Sequence, residues 1–409
     1  MGIPATLADL GVPRKLLEDL ALKTIHLLGE VSLMGLAEHM HVDLRIVDEI
    51  FQRLRKEHLV QVTGMVVGVH QLVATAEGRA RAMDLLALSQ YAGPAPVSLA
   101  DYVHRVREQT VRRMEVSPDA VQSAFGDMVL EQPMLDQLGT AVVSGNAIFL
   151  HGPSGTGKTT LAEALWRLFQ RDPIWVPHAI VVDGQIITVY DPQIHHAAEG
   201  PTPPEADRRW MLCQRPRVIV GGELTIEMLD LQFNPLSKFY VAPVQVKANN
   251  GLLIVDDFGR QRVRPEELLN RWVVPLDRRI DFLTLAGGRK LEVPFDVIVV
   301  FATNLNPATL ADEAFLRRIQ TKIKVDNIGR EQFHEITRRI CENVGLAYDH
   351  AVVDHLADVI ATELRQPLRA CYPRDIVQQV VWGARYHRQV AALTREAVEQ
   401  ACRSYFLAS

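Results

Sequence analysis

Residues Asn146–Thr160, NAIFLHGPSGTGKTT, decide the fold of this chain. An apolar run leads into a turn with the spacing G-x-x-x-x-G-K-T, and apolar residues at helical spacing follow it in LAEALWRLF. A strand, a glycine-rich turn and a helix in this order predict a phosphate-binding loop, because glycines let backbone N–H groups turn inward around an anion. The alternative, a flexible turn, leaves the flanking strand and helix unexplained.

The loop also carries the side chains that a nucleoside triphosphate with magnesium needs. Lys158 is placed to contact the β- and γ-phosphates, and the Thr159 hydroxyl is placed to bind Mg²⁺. No guanine-recognising N-K-x-D follows, so ATP and Mg²⁺ are the predicted cofactors. The predicted nucleotide-binding residues are those of the loop and the following helical turn: Gly152, Pro153, Ser154, Gly155, Thr156, Gly157, Lys158, Thr159 and Thr160.

The composition is that of an ordinary globular protein. The chain has 409 residues, of which 48% are hydrophobic and 23% charged, and its formal net charge is −5. This length predicts two or three domains, and this charge gives no overall reason to bind nucleic acid or an anionic membrane. The four cysteines are far apart, as expected for reduced thiols. No apolar run approaches the ~18 residues of a membrane span, so we expect a cytoplasmic protein without membrane insertion.

Residues 1–90 have the element order of a small winged helix-turn-helix domain. Three helical stretches precede β-branched runs around Gly64 and Gly68, which predict a two-stranded wing. Residues 1–80 contain eight Lys and Arg against ten Asp and Glu, a balance of −2. Because DNA binding needs a basic face, we favour a docking or assembly role for this domain. DNA binding is the alternative.

Composition and periodicity divide the rest of the chain into three parts. Residues 91–117 contain a glycine and two prolines near their start and predict a linker. Residues 118–328 predict two helices before the phosphate-binding strand and alternating strands and helices after it, which is an α/β domain with a parallel sheet. Residues 329–409 are periodic at helical spacing and predict an all-helical unit.

Two adjacent acids end a buried strand downstream of the loop. The apolar run Leu252–Val255 leads directly into Asp256 and Asp257. We expect Asp256 to hold Mg²⁺ opposite Thr159, and Asp257 to polarise the attacking water. A solvated strand end is the alternative.

An amide ends the next apolar strand, in DVIVVFATNLNP. Asn304 follows Thr303 at this strand end. An uncharged amide can donate a hydrogen bond to phosphate and to water without competing for magnesium. In isolation, an Asn at a strand end is more often a turn former.

The order of these motifs resembles that of the AAA+ ATPase superfamily over roughly residues 118–405. The glycine-rich loop matches Walker A, Asp256 and Asp257 end Walker B, and Asn304 matches sensor 1. The resemblance implies the fold class: an α/β P-loop AAA+ core with a parallel sheet, a C-terminal helical lid at residues 329–409, and the winged helix before them.

The same resemblance implies residues that complete the site. EAFLRRI matches the arginine-finger segment, so Arg317 or Arg318 is implied to contact the nucleotide of a neighbouring subunit, and CYPRDIV places Arg374 at the sensor 2 position. A homo-oligomeric ring, a hexamer by resemblance, follows from that arrangement. Asp257 departs from the family, which usually has Glu there, and predicts slow hydrolysis.

The segment before Walker B predicts a hairpin around Asn234–Ser237. It is similar to the inserted hairpin of the magnesium-chelatase and MoxR-like branch, which points into the ring's pore. Lys238, Phe239, Tyr240 and Val241 would then hold a polypeptide; the alternative places Phe239 and Tyr240 in the core.

The predicted function is therefore ATP-driven remodelling of a protein client, in a chaperone-like manner. The alternatives are a nucleic-acid-associated ATPase and a scaffold that binds ATP and barely hydrolyses it. In the loop before the hairpin, His195 and His196 are adjacent rather than at ligand spacing, so we expect both to be solvated.

Overall fold

The computed structural model describes residues 2–66, 68–201, 203–307 and 316–406. Its N-terminal unit is a group of helices with a small antiparallel sheet, in which β3 lies between β1 and β2. In chain order the elements are α1 (Arg14–Leu28), β1 (Glu30–Ser32), α2 (Leu33–Met40), α3 (Leu44–Lys56), β2 (Val60–Val66), β3 (Val69–Ala74) and α4 (Ala76–Leu88). The three predicted helices and the predicted hairpin are present.

The middle of the chain contains the strands and helices that build the predicted site. In order they are β4 (Val97–Ser98), α5 (Leu99–Glu108), α6 (Pro118–Ala124), α7 (Gln132–Ser144), β5 (Ile148–His151), α8 (Lys158–Leu165), β6 (Ile174–Pro177), β7 (Ala179–Val182), β8 (Gln185–Thr188), β9 (Trp210–Cys213), β10 (Arg217–Val220), β11 (Gln232–Phe233), β12 (Tyr240–Val241), α9 (Val244–Lys247), β13 (Leu252–Val255), α10 (Pro265–Arg278), β14 (Ile280–Thr284), β15 (Lys290–Pro294), β16 (Ile298–Thr303) and β17 (Thr321–Lys324).

The central sheet is parallel and has the strand order β10-β13-β16-β5-β17. Its inner strands are apolar throughout because both faces are covered. Ile148 and Leu150 pack towards α6, α7 and α8, while Phe149 packs on the other face with Phe301 and the α10 residue Trp272. The predicted parallel α/β sheet is thereby confirmed. The carboxyl ends of β5, β13 and β16 lie at one edge, where ligands bind in such sheets.

The region between α8 and β10 differs from the sequence expectation. We expected strands alternating with helices, but this region contains the strands β6 to β9, and a second sheet has the order β11-β12-β8-β7-β4. The strands are four residues or shorter, and β7 and β8 form an antiparallel hairpin. Runs this short give little periodicity, so strand and helix are difficult to distinguish by pattern alone.

The N-terminal unit packs directly on this second sheet. Its apolar core includes Ala179 and Ile186 of the sheet. The buried Arg209 guanidinium donates hydrogen bonds to the carbonyl oxygens of Leu10, at 2.9 Å, and Pro96, at 3.3 Å. These contacts fix the N-terminal unit against the rest of the chain.

Part of the predicted linker is structured. Tyr91, Ala95 and Val97 are buried, and β4 adds to the edge of the second sheet beside β7. The α5 helix then leads into the central domain, where Val111 joins the core. The residues between the two units therefore form a packed connection.

The described part of the C-terminal unit consists of helices and the loops that connect them. It consists of α11 (Arg330–Val344), α12 (His350–Asp358), α13 (Tyr372–Tyr386) and α14 (Arg395–Tyr405), with a π-helical turn at Val359–Glu363. Its helices share one apolar core. Within the described chain, no helix is both long and apolar enough to cross a bilayer.

Candidate functional site

The glycine-rich loop has a backbone that only glycine fits well. Gly152 has φ +147°, and a Cβ there would lie 2.1 Å from the carbonyl oxygen of Val325. Gly155, with φ +78°, would place a Cβ 2.6 Å from the Cys371 Sγ. Gly157, with φ +92°, immediately precedes α8. The loop thus wraps the N-terminus of α8, where backbone N–H groups lack helical partners and attract anions.

The Lys158 ammonium lies inside this loop. It donates hydrogen bonds to the carbonyl oxygens of Gly152, at 3.0 Å, and Pro153, at 2.6 Å. Burial lowers the pKa of Lys158, and the nearby Asp257 and Asp256 carboxylates oppose that shift. The cation is therefore held in place by backbone carbonyls that an anion in the loop would replace.

A hydroxyl and a carboxylate meet beside the loop. Thr159 Oγ1 lies 3.0 and 3.1 Å from the two carboxylate oxygens of Asp256 and donates a hydrogen bond to them. The Asp256 carboxylate also accepts from the Asp257 backbone N–H at 3.0 Å. Oxygen ligands from Ser or Thr and Asp are those that Mg²⁺ takes in phosphate sites.

Asp257 has an unusual backbone. Its φ is +47°, in the left-handed region, and its side chain is exposed to the cavity beside Asp256. Non-glycine residues at positive φ are uncommon and concentrate at functional sites. The turn is supported by Gln261, which donates to the Asp256 carbonyl oxygen at 2.7 Å.

Asn304 lines the same cavity with an unused acceptor. Its Oδ1 is buried and has no hydrogen-bond partner among the residues that the structure describes. The side chain of the preceding Thr303 is fixed in position, because its hydroxyl donates a hydrogen bond to the Phe258 carbonyl oxygen at 2.7 Å. A buried amide oxygen without a partner is costly, and a hydrogen-bond donor in the cavity, such as a water molecule, would satisfy it.

The structure brings most predicted site residues around one cavity of about 590 Å³. Ser154–Thr160, Asp256, Asp257, Asn304 and Arg374 line it. Arg374 is exposed and paired with Asp375, at 3.0 Å. These oxygens, the lysine and the loop fit a magnesium-bound nucleoside triphosphate.

The two predicted arginine-finger candidates lie outside this cavity lining. Arg318 Nε donates to Asp277 Oδ2 of α10 at 2.9 Å, and Arg317 is exposed. The first part of the EAFLRRI segment, residues 313–315, lies outside the described residues. The structure of one chain therefore does not bring these arginines to its own phosphate loop.

Sequence reasoning missed the apolar side of the cavity. Met128 and Leu130 line it together with Ile336 and Ile340 of α11. Arg339 joins the two segments, since its Nη1 donates to the Met128 carbonyl oxygen at 3.3 Å. The helical periodicity of α11 was visible in the sequence, but no motif marks which of its apolar residues face a ligand.

The helical unit also contacts the loop directly. The Cys371 backbone N–H donates to the Gly155 carbonyl oxygen at 3.1 Å, at the start of α13. A change in the conformation of the loop would therefore be transmitted to α13.

The predicted hairpin is present, but its side chains are arranged differently from the pore-loop expectation. β11 and β12 pair antiparallel, and Tyr240 is buried, as the core alternative expected. Phe239 packs edge-on against Tyr91 of the N-terminal side, with ring centroids 5.6 Å apart. At the tip, Leu236 is 79% exposed, and Phe233 is 45% exposed. The exposed apolar side chains of the hairpin are therefore these two.

The N-terminal unit also holds the hairpin through polar contacts. Lys238 Nζ donates to the Ala87 carbonyl oxygen at 2.5 Å, and the Gln90 N–H donates to the Ser237 carbonyl oxygen at 2.8 Å. The turn of the hairpin is therefore held against the end of α4 and the residues that follow it.

The expectation that His195 is solvated is wrong. Its ring is buried, accepts from the Asp191 N–H at 2.9 Å and stacks on Tyr190. Burial lowers the pKa of His195 to about 4, so the ring is neutral at physiological pH. His196 is exposed, as expected.

Comparisons with known proteins give partial similarities. Residues 329–404 match a domain of unknown function, DUF8689. A stretch of 79 residues is 42% identical to an ATP-dependent lipid A-core flippase of Burkholderia orbicola (strain AU 1054), and it spans 19% of this chain and only 12% of the flippase.

Two solved structures are also similar in part. NtrX from Brucella abortus is 14% identical, with a TM-score of 0.44, over 70% of this chain and 57% of NtrX. A RuvB variant from Thermotoga maritima is 13% identical, with a TM-score of 0.40, over 72% of both chains.

Proposed function

We propose that this chain is an AAA+ ATPase that binds and hydrolyses Mg-ATP. The observation that carries the proposal is the Thr159 hydroxyl on the Asp256 carboxylate, at 3.0 and 3.1 Å, at the edge of the cavity that Lys158, Asp257 and Asn304 also line. A phosphate loop, a metal-binding pair, a free carboxylate and an amide are the parts that phosphoryl transfer to water requires.

Each residue then has a defined task. The loop N–H groups and Lys158 bind the phosphates, and Thr159 and Asp256 hold Mg²⁺, which supplies charge neutralisation when bound. Asp257 orients water and accepts its proton, while Asn304 donates from its amide group to the phosphate or to that water. The apolar walls at Met128 and Ile336 would cover the base of the nucleotide.

We further propose that the active form is a ring, in which one subunit completes the site of the next. Neither Arg317 nor Arg318 lines the cavity of its own chain, which agrees with a role at a neighbouring subunit's nucleotide. Arg318 would exchange its Asp277 partner for phosphate on assembly. Arg374 would couple the position of the helical lid to the nucleotide in the same chain.

Mixed assemblies test the shared site. Arg317→Ala and Arg318→Ala are each mixed with an excess of Lys158→Ala subunits, which contribute intact arginines but no functional loop. We expect the finger variant to recover hydrolysis in the mixture, because its own loop then faces a neighbour with both arginines. The rate of ATP hydrolysis is measured against the fraction of each subunit. If neither arginine variant loses activity alone, or if mixing never restores it, the proposed arrangement is wrong.

The N-terminal unit is proposed to be a winged helix used for docking rather than for DNA. Two arginines of α3, the helix that would enter a groove, are paired with acids: Arg45 with Asp43 at 3.0 Å, and Arg53 with Glu18 at 3.2 Å. Pairing reduces the positive charge that phosphates would meet. These ion pairs favour a protein partner.

The proposed output is remodelling of a protein client through the hairpin. Leu236 in the turn and Phe233 at the adjoining end of β11 present apolar side chains, and the Lys238 contact fixes the turn to the N-terminal unit. A partner docked on the N-terminal unit would therefore lie close to the hairpin. Nucleotide-driven movement of the hairpin would then act on that partner.

Stimulation by an unfolded model polypeptide or by duplex DNA distinguishes protein remodelling from a nucleic-acid-associated function. We expect the polypeptide to stimulate ATP hydrolysis, and Leu236→Asp to remove that stimulation, because the exposed tip loses its apolar contact. Val390→Asp is the control, since Val390 is an apolar residue that is 94% exposed and belongs to the C-terminal helical unit. Salt-sensitive stimulation by DNA alone would instead support the nucleic-acid-associated alternative.

A further inference from the structure

Two histidines and an aspartate meet on the outer side of the helical unit. His350 and Asp354 are four residues apart on α12, which places both on one face of that helix. His334 joins them from α11: its Nε2 lies 3.0 Å from Asp354 Oδ1, and His350 Nδ1 lies 3.0 Å from Asp354 Oδ2. The three potential ligand atoms all lie within 4.8 Å of one another.

The least exposed member of the group, His334, is oriented by a second contact. The His334 side chain is only 12% exposed, and its Nδ1 lies 2.8 Å from the Tyr348 hydroxyl. Histidines that bind metals are typically fixed in this way through the ring nitrogen that does not face the ion. With Nδ1 engaged by Tyr348, Nε2 is directed at the group formed with Asp354.

We propose that His334, His350 and Asp354 form a binding site for a divalent transition-metal ion, with zinc as the expected ion. Two imidazole nitrogens and one carboxylate oxygen are a donor set that zinc takes, and a solvent molecule would fill the fourth position. The site would join α11 to α12. Because α11 also carries Ile336 and Ile340 of the nucleotide cavity, the ion would stiffen the lid helix that lines that cavity.

Two features of the structure must change when the ion binds. The imidazole rings of His334 and His350 stack with centroids 4.3 Å apart and an angle of 19°, so His350 must tilt to direct its nitrogen at a shared ion. It is free to do so because its side chain is 71% exposed. Arg330 also donates to Asp354 Oδ1 at 3.0 Å, and the ion would displace this guanidinium from that oxygen.

The simpler explanation is a hydrogen-bonded group in which one carboxylate accepts from Arg330 and two histidines. The two explanations differ in what the purified chain binds, and the difference does not depend on ATP hydrolysis. The proposal therefore stands apart from the proposed function of the nucleotide cavity.

Zinc binding to the untagged full-length chain tests the proposal. The assay is competition with a chromophoric chelator in excess Mg²⁺, which occupies the carboxylates of the nucleotide cavity. We expect one tightly bound zinc per chain, and a loss of affinity of at least about tenfold in His350→Ala and Asp354→Asn. Co²⁺ in place of zinc should give the visible absorption of a four-coordinate site, and that absorption should disappear in His334→Ala.

A neighbouring histidine provides the control. His355 lies on the same helix and pairs with Glu399 at 2.8 Å, so His355→Ala should leave zinc affinity unchanged. His350 and Asp354 are sufficiently exposed for their variants to fold, which circular dichroism would check. Absence of stoichiometric zinc binding, or zinc binding that survives His350→Ala and Asp354→Asn, would overturn the proposal.

Discussion

Lys158→Ala is expected to abolish measurable ATP hydrolysis and to weaken ATP binding strongly. The ammonium is the cation inside the loop, and it donates hydrogen bonds to two backbone carbonyl oxygens. Because these partners are uncharged, we expect the loop to fold without the lysine's charge. A hydrogen bond to a charged group contributes about 1.5–3 kcal/mol, which corresponds to roughly 10- to 150-fold in the dissociation constant. Loss of a preorganised donor at the transition state costs a further factor of about 10²–10³ in rate.

The measurement is equilibrium binding of a fluorescent ATP analogue together with phosphate release. Lys15→Ala is a suitable control, because Lys15 is an exposed partner of Asp19 on α1, distant in sequence from the loop. Unfolding by heat, followed by circular dichroism, shows whether the variant keeps its fold. Unchanged ATP affinity in a folded Lys158→Ala chain would mean that the loop does not bind phosphate.

Much of the central domain could be predicted from the sequence, because its signals are local. The apolar run of β13 and the acids that end it are contiguous, and so are β16 and Asn304. Parallel strands then place these ends at one edge without further information. The same rule explains why the loop, Asp256 and Asn304 lie around one cavity in the structure.

The features that could not be predicted depend on contacts between segments that are distant in the sequence. Met128 and Ile336 line the same cavity only because α11 folds back over the central domain. Arg339 of α11 holds these two segments together through its hydrogen bond to the Met128 carbonyl oxygen. His195 is buried where its ring stacks on Tyr190 and its Nε2 lies 2.9 Å from the carbonyl oxygen of Lys247, a contact with a distant segment that no local pattern predicts. The second sheet consists of strands too short for a clear period.

The hairpin shows most clearly what could not be predicted from the sequence. Its existence followed from the turn at Asn234–Ser237, whereas the side chains that it exposes depended on where the N-terminal unit docks. Phe239 is turned towards Tyr91, which leaves Leu236 as the exposed tip. A pattern of apolar residues identifies a strand, but it does not identify what covers each face.

Asp257→Asn is expected to keep ATP binding and to lose hydrolysis by about 10²-fold or more, the usual contribution of a general base. Asn has the shape of Asp but does not accept a proton from water. It also tolerates the left-handed backbone, so the φ of +47° at this position is not a reason for the variant to misfold. Phosphate release and binding of a fluorescent ATP analogue separate the two effects.

Asp183→Asn is the matched control for this substitution. Asp183 also has a positive φ, +51°, and lies at the turn after β7, paired with Arg289. We expect this variant to hydrolyse ATP like the unmodified chain. Equal rates for the unmodified chain and Asp257→Asn would remove Asp257 from the mechanism.

The backbone at this position also gives a reason for Asp where the AAA+ superfamily that the sequence resembles usually has Glu. A left-handed conformation costs most side chains about 1–2 kcal/mol, and Asp and Asn are the non-glycine residues that adopt it most readily. Asp257→Glu would therefore extend the carboxylate by one methylene into the cavity while straining the turn that Gln261 supports. We expect Asp257→Glu to retain activity and lower the temperature of unfolding, which would tie the slow hydrolysis predicted for this chain to the shape of the turn at Asp257.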